Sequence, residues 1–257
     1  MLNSHKYIAF ETILIKEVRR FMRIWVQTLV PPAITIGLYF LIFGNLIGNR
    51  IGSMSGFSYM DFIVPGLIMM AVIQNAYANV VSSFFSQKFQ RSIEELLVSP
   101  VPNYIILAGF VAGGVARGLA VGVIVVLMSF VFTDLNIHHW GITLFVVLMT
   151  AVVFSLAGFL NALFANSFDD ISIIPTFVLT PLIYLGGVFY SVDLLPEFGR
   201  MVSAINPLFY MVNTFRYGIL GASDANIYTS LMMLVVFVFV LGAACLILLR
   251  RGTGLRH

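Results

Sequence analysis

Six long apolar stretches run through this sequence, and they leave few folds open to it. They cover about residues 24–43, 62–85, 104–132, 140–164, 171–190 and 227–249. A helix that crosses the hydrocarbon core of a bilayer needs ~20 mostly apolar residues. Each stretch meets or exceeds that length, and the third is long enough to tilt or to project beyond the membrane. Hydrophobic residues make up 60% of the chain and charged ones only 10%, whereas soluble domains carry roughly 25% charge. A single soluble core cannot hide so much apolar surface at this length. The fold class expected is therefore an all-α polytopic membrane protein with six transmembrane helices in one domain spanning residues 1–257. Prolines 31, 32, 65, 175 and 181 fall in or near these stretches; packed membrane helices tolerate them because neighbours satisfy the freed carbonyls.

Orientation follows from the basic residues. With both termini cytoplasmic, ten fall inside: Lys6, Lys16, Arg19, Arg20, Arg23, Lys88, Arg91, Arg250, Arg251 and Arg256. Three fall outside, namely Arg50, Arg200 and Arg216, while Arg117 lies within a span. No cleavable leader is expected, because the first apolar run begins only near Ile24, after a charged stretch. In residues 1–23, a 100° spacing gathers Tyr7, Phe10, Leu14, Val18, Phe21 and the following Trp25 on one face. It sets Lys16, Arg19, Arg20 and Arg23 on the other. That pattern predicts an amphipathic helix lying in the cytoplasmic interface, its basic groups toward anionic lipid headgroups.

The segment 191–226 is too apolar for a watery loop, yet Pro196, Arg200, Asn206, Pro207 and Arg216 interrupt it before it could span. Short re-entrant helices in the outer leaflet fit this composition best. The cytoplasmic loop, about 86–103, has helical spacing over 86–98. Phe89, Ile93, Leu96 and Leu97 share one side, with Gln90, Arg91, Glu94 and Glu95 mostly on the other; Pro100 ends the helix. This loop reads either as a docking helix for a soluble protein or as a solvated connector with an Arg91–Glu95 pair.

Chemistry-bearing motifs are few. The three lysines, Lys6, Lys16 and Lys88, follow His5, Ile15 and Gln87, so there is no Gly-Lys-Ser/Thr phosphate cradle. ATP, if it drives this chain, is bound elsewhere. Cys245 stands alone inside an apolar run and reads as a small buried hydrophobe. His138 and His139 beside Asp134 are expected to form a polar turn, since no third histidine lies near them. Asp169 and Asp170 follow Asn166 and Ser167, which points to helix capping. Arg117 is different. It sits mid-span among Gly113, Gly114 and Gly118, where an isolated charge costs ~2.5–3.5 kcal/mol. It needs a partner or a wet cavity, and the glycines let another helix come close.

Three stretches carry a family resemblance. They are Phe62-Ile63-Val64-Pro65-Gly66; then Glu94-Glu95-Leu96-Leu97-Val98-Ser99-Pro100-Val101; then Leu185-Gly186-Gly187-Val188-Phe189-Tyr190-Ser191, followed by Leu195-Pro196, Asn206-Pro207-Leu208 and Phe215-Arg216. In order, spacing and topology the chain resembles the ABC-2 type permeases, the membrane subunits of a class of ATP-binding-cassette exporters. The resemblance implies a dimer, expected as two copies of this chain, carrying separate nucleotide-binding ATPase subunits that hold ATP and Mg²⁺. This chain would bind no cofactor, metal or nucleic acid and would catalyse nothing itself. The loop between the second and third spans would act as a coupling helix, with Gln87, Lys88, Gln90, Arg91, Glu94, Glu95 and Leu97 touching the ATPase. The path would lie at the dimer interface, pointing to Gln74, Asn75, Tyr77, Asn79, Thr176, Thr180 and Tyr184; most of these could equally be packing residues. Few charges and many aromatics in the spans argue against ion coupling and fit an amphipathic, lipid-like, glycan or drug-like cargo. The rival readings are a secondary carrier or channel, and a lipid-processing membrane enzyme.

Overall fold

The computed structural model describes residues 2–254, so Arg256 of the basic count lies outside the described residues. The chain is helical almost throughout, apart from one two-stranded hairpin. Helix α1 (Leu2–Arg23) leads into α2 (Trp25–Thr28) and α3 (Val30–Tyr39), then a π-helical stretch (Phe40–Ile47) and α4 (Gly48–Ile51). The break between α2 and α3 falls where Pro31 and Pro32 supply no N–H to continue the ladder. Strands β1 (Ser53–Met54) and β2 (Phe57–Ser58) pair antiparallel. Ser55 and Gly56 turn between them, both with positive φ, as a two-residue hairpin requires.

Ser58 then caps α5 (Tyr59–Phe89), accepting the Asp61 N–H at 3.2 Å. At the usual rise, α5 is about 46 Å long, well beyond the ~30 Å hydrocarbon core. It is buried nearly all round, so it is the hub. Helices α7 (Asn103–Ser129) and α8 (Trp140–Phe164) flank it, and α1 packs on α7. Two glycine rows on α7 permit this. A Cβ on Gly118 would come within 2.9 Å of Ala76 Cβ on α5, and one on Gly113 within 2.5 Å of Glu17 Cβ on α1. The close-packed centre holds Phe84, Phe110 and Phe159, edge-on and tilted against one another.

After α8 come α9 (Asp170–Ile174), a π-helical turn (Pro175–Leu179) and α10 (Thr180–Leu185). Asp170 accepts the N–H groups of Asn166 and Ser167 while Ser167 accepts that of Asp170, the reciprocal capping expected there. Beyond a short 3₁₀ turn lie α11 (Glu197–Ile205), α12 (Pro207–Leu220) and finally α13 (Ile227–Arg251). The last helix is peripheral and turns most of its apolar surface outward.

Among the described residues five helical stretches are long and apolar enough to cross a bilayer: Trp25–Gly44, Tyr59–Phe89, Asn103–Ser129, Trp140–Phe164 and Ile227–Arg251. They match five of the expected spans to within a few residues. The remaining one is the shorter apolar helix Asp170–Leu185, about 24 Å long by helical rise. The chain is thus an all-α multi-pass membrane protein.

Two expectations need correction. The helix predicted over 86–98 is broken at Gln90 and Arg91, where Arg91 takes a left-handed φ of 59°. A new helix, α6 (Ser92–Val98), starts there. The bend returns the chain to the bundle so that Ile93 is buried, whereas Phe89 stays exposed. Arg91 and Glu95 form no ion pair; among the described residues that role belongs to Glu17 and Arg20. Arg216, counted above among the outer-side charges, is the largest fully buried side chain among the described residues. It donates to the carbonyls of Phe62 (3.2 Å) and Gly187 (2.6 Å) and to Asn213 Oδ1 (3.1 Å), and lies 3.9 Å over the Phe62 ring. It ties α12 to the start of α5 and to the turn after α10.

Candidate functional site

Helix α5 carries polar residues at intervals of four: Asn75, Asn79, Ser83 and Gln87. Intervals of four on a helix fall on one face, and here that face meets α1, α2 and α7. At mid-helix, Arg117 of α7 donates to Asn75 Oδ1 at 3.2 Å and to the Thr28 carbonyl at 3.4 Å. The mid-span charge therefore has the partners its cost demands. One turn along, Arg20 of α1 donates to Asn79 twice, at its carbonyl (2.9 Å) and at Oδ1 (2.8 Å). Next, Ser83 donates to Glu17 Oε1 at 2.6 Å, with Gln87 Nε2 at 3.5 Å from the same oxygen. At the end, Lys16 donates to Gln87 at 3.1 Å. The result is a polar seam running from the mid-membrane level of α5 to its α6 end.

The seam reshapes the reading of α1. The stripe packed against the bundle is Ile13, Glu17 and Phe21, one residue per turn. Tyr7 and Trp25 of the expected apolar face remain exposed, available to lipid as an interfacial helix would need. Of the basic face, Lys16, Arg19, Arg20 and Arg23 line an open groove of about 690 Å³ with Thr12, Ile15 and Ile24. Arg20 serves both sides. Neither Glu17 nor Ser83 was singled out from the sequence, although the four-residue polar repeat on an otherwise apolar α5 was there to be read.

The elbow between α5 and α6 sorts the expected partner contacts into two groups. Gln90, Arg91, Glu94 and Glu95 are exposed, together with Phe89 and Val98. They form a knob of mixed charge with an apolar edge, seated on buried Ile93. Gln87 and Lys88 turn inward. Lys88 donates to the carbonyls of Leu163 (2.8 Å) and Ala165 (2.6 Å), capping the C-terminus of α8. Leu97 is half-buried against the core.

The expected path residues divide as well. Gln74, Tyr77, Thr176 and Thr180 line a groove of about 390 Å³ between α5 and the α9–α10 segment, with Ser82 and Pro175 among its other walls. Tyr77 reaches Asn161 Nδ2 at 2.8 Å, and Thr180 donates to the Pro175 carbonyl across the π turn at 2.8 Å. Asn75 and Asn79 face the opposite side, in the seam. Tyr184 lies at the β-hairpin end, its hydroxyl 3.2 Å from that of Tyr39, in an aromatic cluster with Phe43 and Phe189. The segments Trp25–Gly44 and Asp170–Leu185 both present broad exposed apolar faces, including Ile34, Leu38, Leu41, Ile173 and Phe177.

His138 and His139 pair through their backbone N–H groups with Ile219 and Gly218, and their rings pack near Tyr217. Among the described residues no three His, Cys, Asp or Glu side chains converge on a metal position. Cys245 is buried, its thiol 3.5 Å from the Leu156 carbonyl.

Residues 8–220 match the family described as ABC-2 type transporter. The chain is 60% identical over 250 residues to the inner membrane transport permease YadH of Escherichia coli (strain K12), covering 97% of this chain and 98% of that protein. It is 25% identical over 222 residues, 83% of each chain, to nodulation protein J of Rhizobium leguminosarum bv. viciae. A nodulation protein J of Rhizobium meliloti (strain 1021) is 23% identical over 193 residues, 72% of this chain and 71% of that one.

Proposed function

Given that this chain belongs to the ABC-2 type transporter family and is a transport permease, we propose that it works by docking a separate ATPase subunit on the elbow between α5 and α6. The exposed knob carries the reading. Arg91, Glu94 and Glu95 offer charge, and Gln90 a neutral amide, to a soluble partner. Buried Ile93 seats the knob on the bundle, and the Lys88 cap ties the adjoining end of the central helix to α8. A push on α6 is therefore passed to α5 rather than absorbed by a loose loop. ATP and its Mg²⁺ belong to the partner, since this chain has no P-loop lysine.

Both termini are cytoplasmic in this reading, and α6 faces the cytoplasm. The short segment Asp170–Leu185 completes a sixth crossing, with α11 and α12 folded back beside it. Irregular backbone is tolerated at membrane depth where protein satisfies it, and Arg216 does this for the Phe62 and Gly187 carbonyls. Two copies of the chain meet through the exposed faces of Trp25–Gly44 and Asp170–Leu185. Gln74, Tyr77, Thr176, Thr180 and the Tyr39–Tyr184 pair lie beside that junction as candidate path residues. Asn75 and Asn79 belong to the seam. Nucleotide binding would bias the dimer between two states, exporting an amphipathic cargo of lipid-like, glycan or drug-like character.

The test is capture and turnover. Tagged permease, extracted in mild detergent, is expected to bring down a P-loop ATPase. Glu94→Lys with Glu95→Lys is expected to weaken capture and cut ATP turnover about tenfold, a loss typical of reversing charges at a docking site, while the permease stays membrane-inserted. Capture and turnover unchanged by the reversal would remove the elbow from the interface. No ATPase at all would favour a carrier that works without one.

A further inference from the structure

Glu17 is the most unusual residue in the molecule after Arg216. It is a carboxylate with no exposed surface, on a helix otherwise suited to the membrane interface. Carboxylates are almost never fully buried unless paired. Its carboxylate oxygens meet polar groups of α5 and α1: Ser83 at 2.6 Å, Gln87 at 3.5 Å and Arg20 Nε at 3.4 Å. Arg20 in turn grips the carbonyl and side chain of Asn79. Gly113 of α7 forms the floor, since any larger residue would collide with Glu17 Cβ. Glu17 Oε2 and Arg20 Nε meet as a 3.4 Å ion pair without a hydrogen bond, while Asn79 Nδ2 and Arg117 Nε have no partner among the described residues; all four atoms are shielded from solvent. An orphaned buried group calls for a physical reason. Two unpartnered donors beside a long ion pair, where α1, α5 and α7 meet, leave the contact more than one way to pair.

We propose that Glu17 and Arg20 are positioning residues for energy transmission. They lock the interfacial helix α1 to the α5–α6 elbow, so that the knob, α5 and α1 move as one lever. An apolar α1–α5 contact would slide at little cost, because dispersion and burial are non-directional. Short directional bonds from Glu17 to Ser83 and from Arg20 to Asn79 fix a single register. The unpartnered Asn79 Nδ2 and Arg117 Nε donors, beside the long Glu17–Arg20 ion pair, give the seam groups with which to re-pair when the lever shifts. Arg117, bonded to Asn75 two turns beyond Ser83, carries the same connection to mid-membrane.

This inference rests on the docking reading above, and the experiment separates the two. The permease with its captured ATPase is reconstituted in lipid nanodiscs, as wild type, Glu17→Gln, Ser83→Ala and the double variant. Turnover is normalised to the amount of complex. Each single variant is expected to lower kcat for ATP about five- to tenfold, the range of ordinary coupling energies. KM for ATP and the captured amount stay unchanged. The double variant is expected to be no slower than the worse single, since both remove one contact. Ser83→Ala supplies the answer if Glu17→Gln does not fold. Normalised turnover within about twofold of wild type in the folded variants, where no transition-state contact is lost, overturns the seam and leaves docking standing. So does activity lost only in proportion to complex. Wild-type permease that captures no ATPase overturns both.

Discussion

Arg216 shows how far one side chain can tie distant parts of this fold together. Its guanidinium serves α5, α12 and the turn after α10, and its plane rests on Phe62. Removing it leaves the buried Phe62 and Gly187 carbonyls without their donor, at a cost of about 1–3 kcal/mol for each group left unsatisfied. Arg216→Ala is therefore expected to lower the detergent melting temperature sharply and reduce the amount of folded permease. Arg216→Lys should recover only part of this, because an ammonium cannot match the planar fork. Arg200, exposed and bonded only to the carbonyls of its own loop at Leu195 and Asp193, should tolerate Ala with no measurable change. Sequence patterns gave these two arginines the same standing. Local spacing offers only Asn213, three residues back, while the carbonyls that anchor Arg216 lie 154 and 29 residues away. Arg117 was legible for the opposite reason: a charge in the middle of an apolar run announces that it needs a partner. The identity of that partner, Asn75, came only from the packing of α5 against α7.

At the scale of elements, the length of the apolar runs located five helices within a few residues, because span length is set by membrane thickness and needs no tertiary knowledge. The elbow was less legible. Its break at Arg91 is imposed by the need to bury Ile93, which a continuous helix would have carried into water. The glycines of α7 mark where elements must touch. Gly118 faces Ala76 and the Val72 carbonyl of α5, with a Cβ position 2.9 Å and 3.1 Å from them. Gly118→Val is expected to force α5 and α7 apart and cost about 1–3 kcal/mol, read as a lower melting temperature in detergent. Gly141, at the start of α8, has no atom within 4 Å of a Cβ position. Gly141→Ala should be neutral or slightly stabilising. Equal losses at the two sites would mean that α7 does not approach α5 as closely as described.

For the molecule as a whole, the decisive quantity is the number of crossings between the elbow and α11. Helices α7 and α8 each cross once. If Asp170–Leu185 also crosses, the elbow and α11 lie on opposite faces; if it only dips, they share one. Its length of about 24 Å falls short of the ~30 Å core. Local bilayer thinning and the packed α11–α12 pair can make up such a difference at modest cost. Single cysteines read the answer directly, in a background where buried Cys245 is replaced by Ala. Val98 is 87% exposed and Phe198 is 77% exposed, so labelling at either site depends on side rather than on burial. A membrane-impermeant maleimide is expected to label Val98→Cys only in inside-out vesicles and Phe198→Cys only in right-side-out ones. Thr253→Cys, just past α13, should follow Val98, because α13 adds one more crossing. Labelling of Val98 and Phe198 from one side would reduce the spans to five and leave the candidate path groove without its second wall across the membrane. Labelling of Val98 from the periplasmic side would do more. It would separate the knob from any ATP-hydrolysing partner and, with it, the lever that Glu17 and Arg20 are placed to hold.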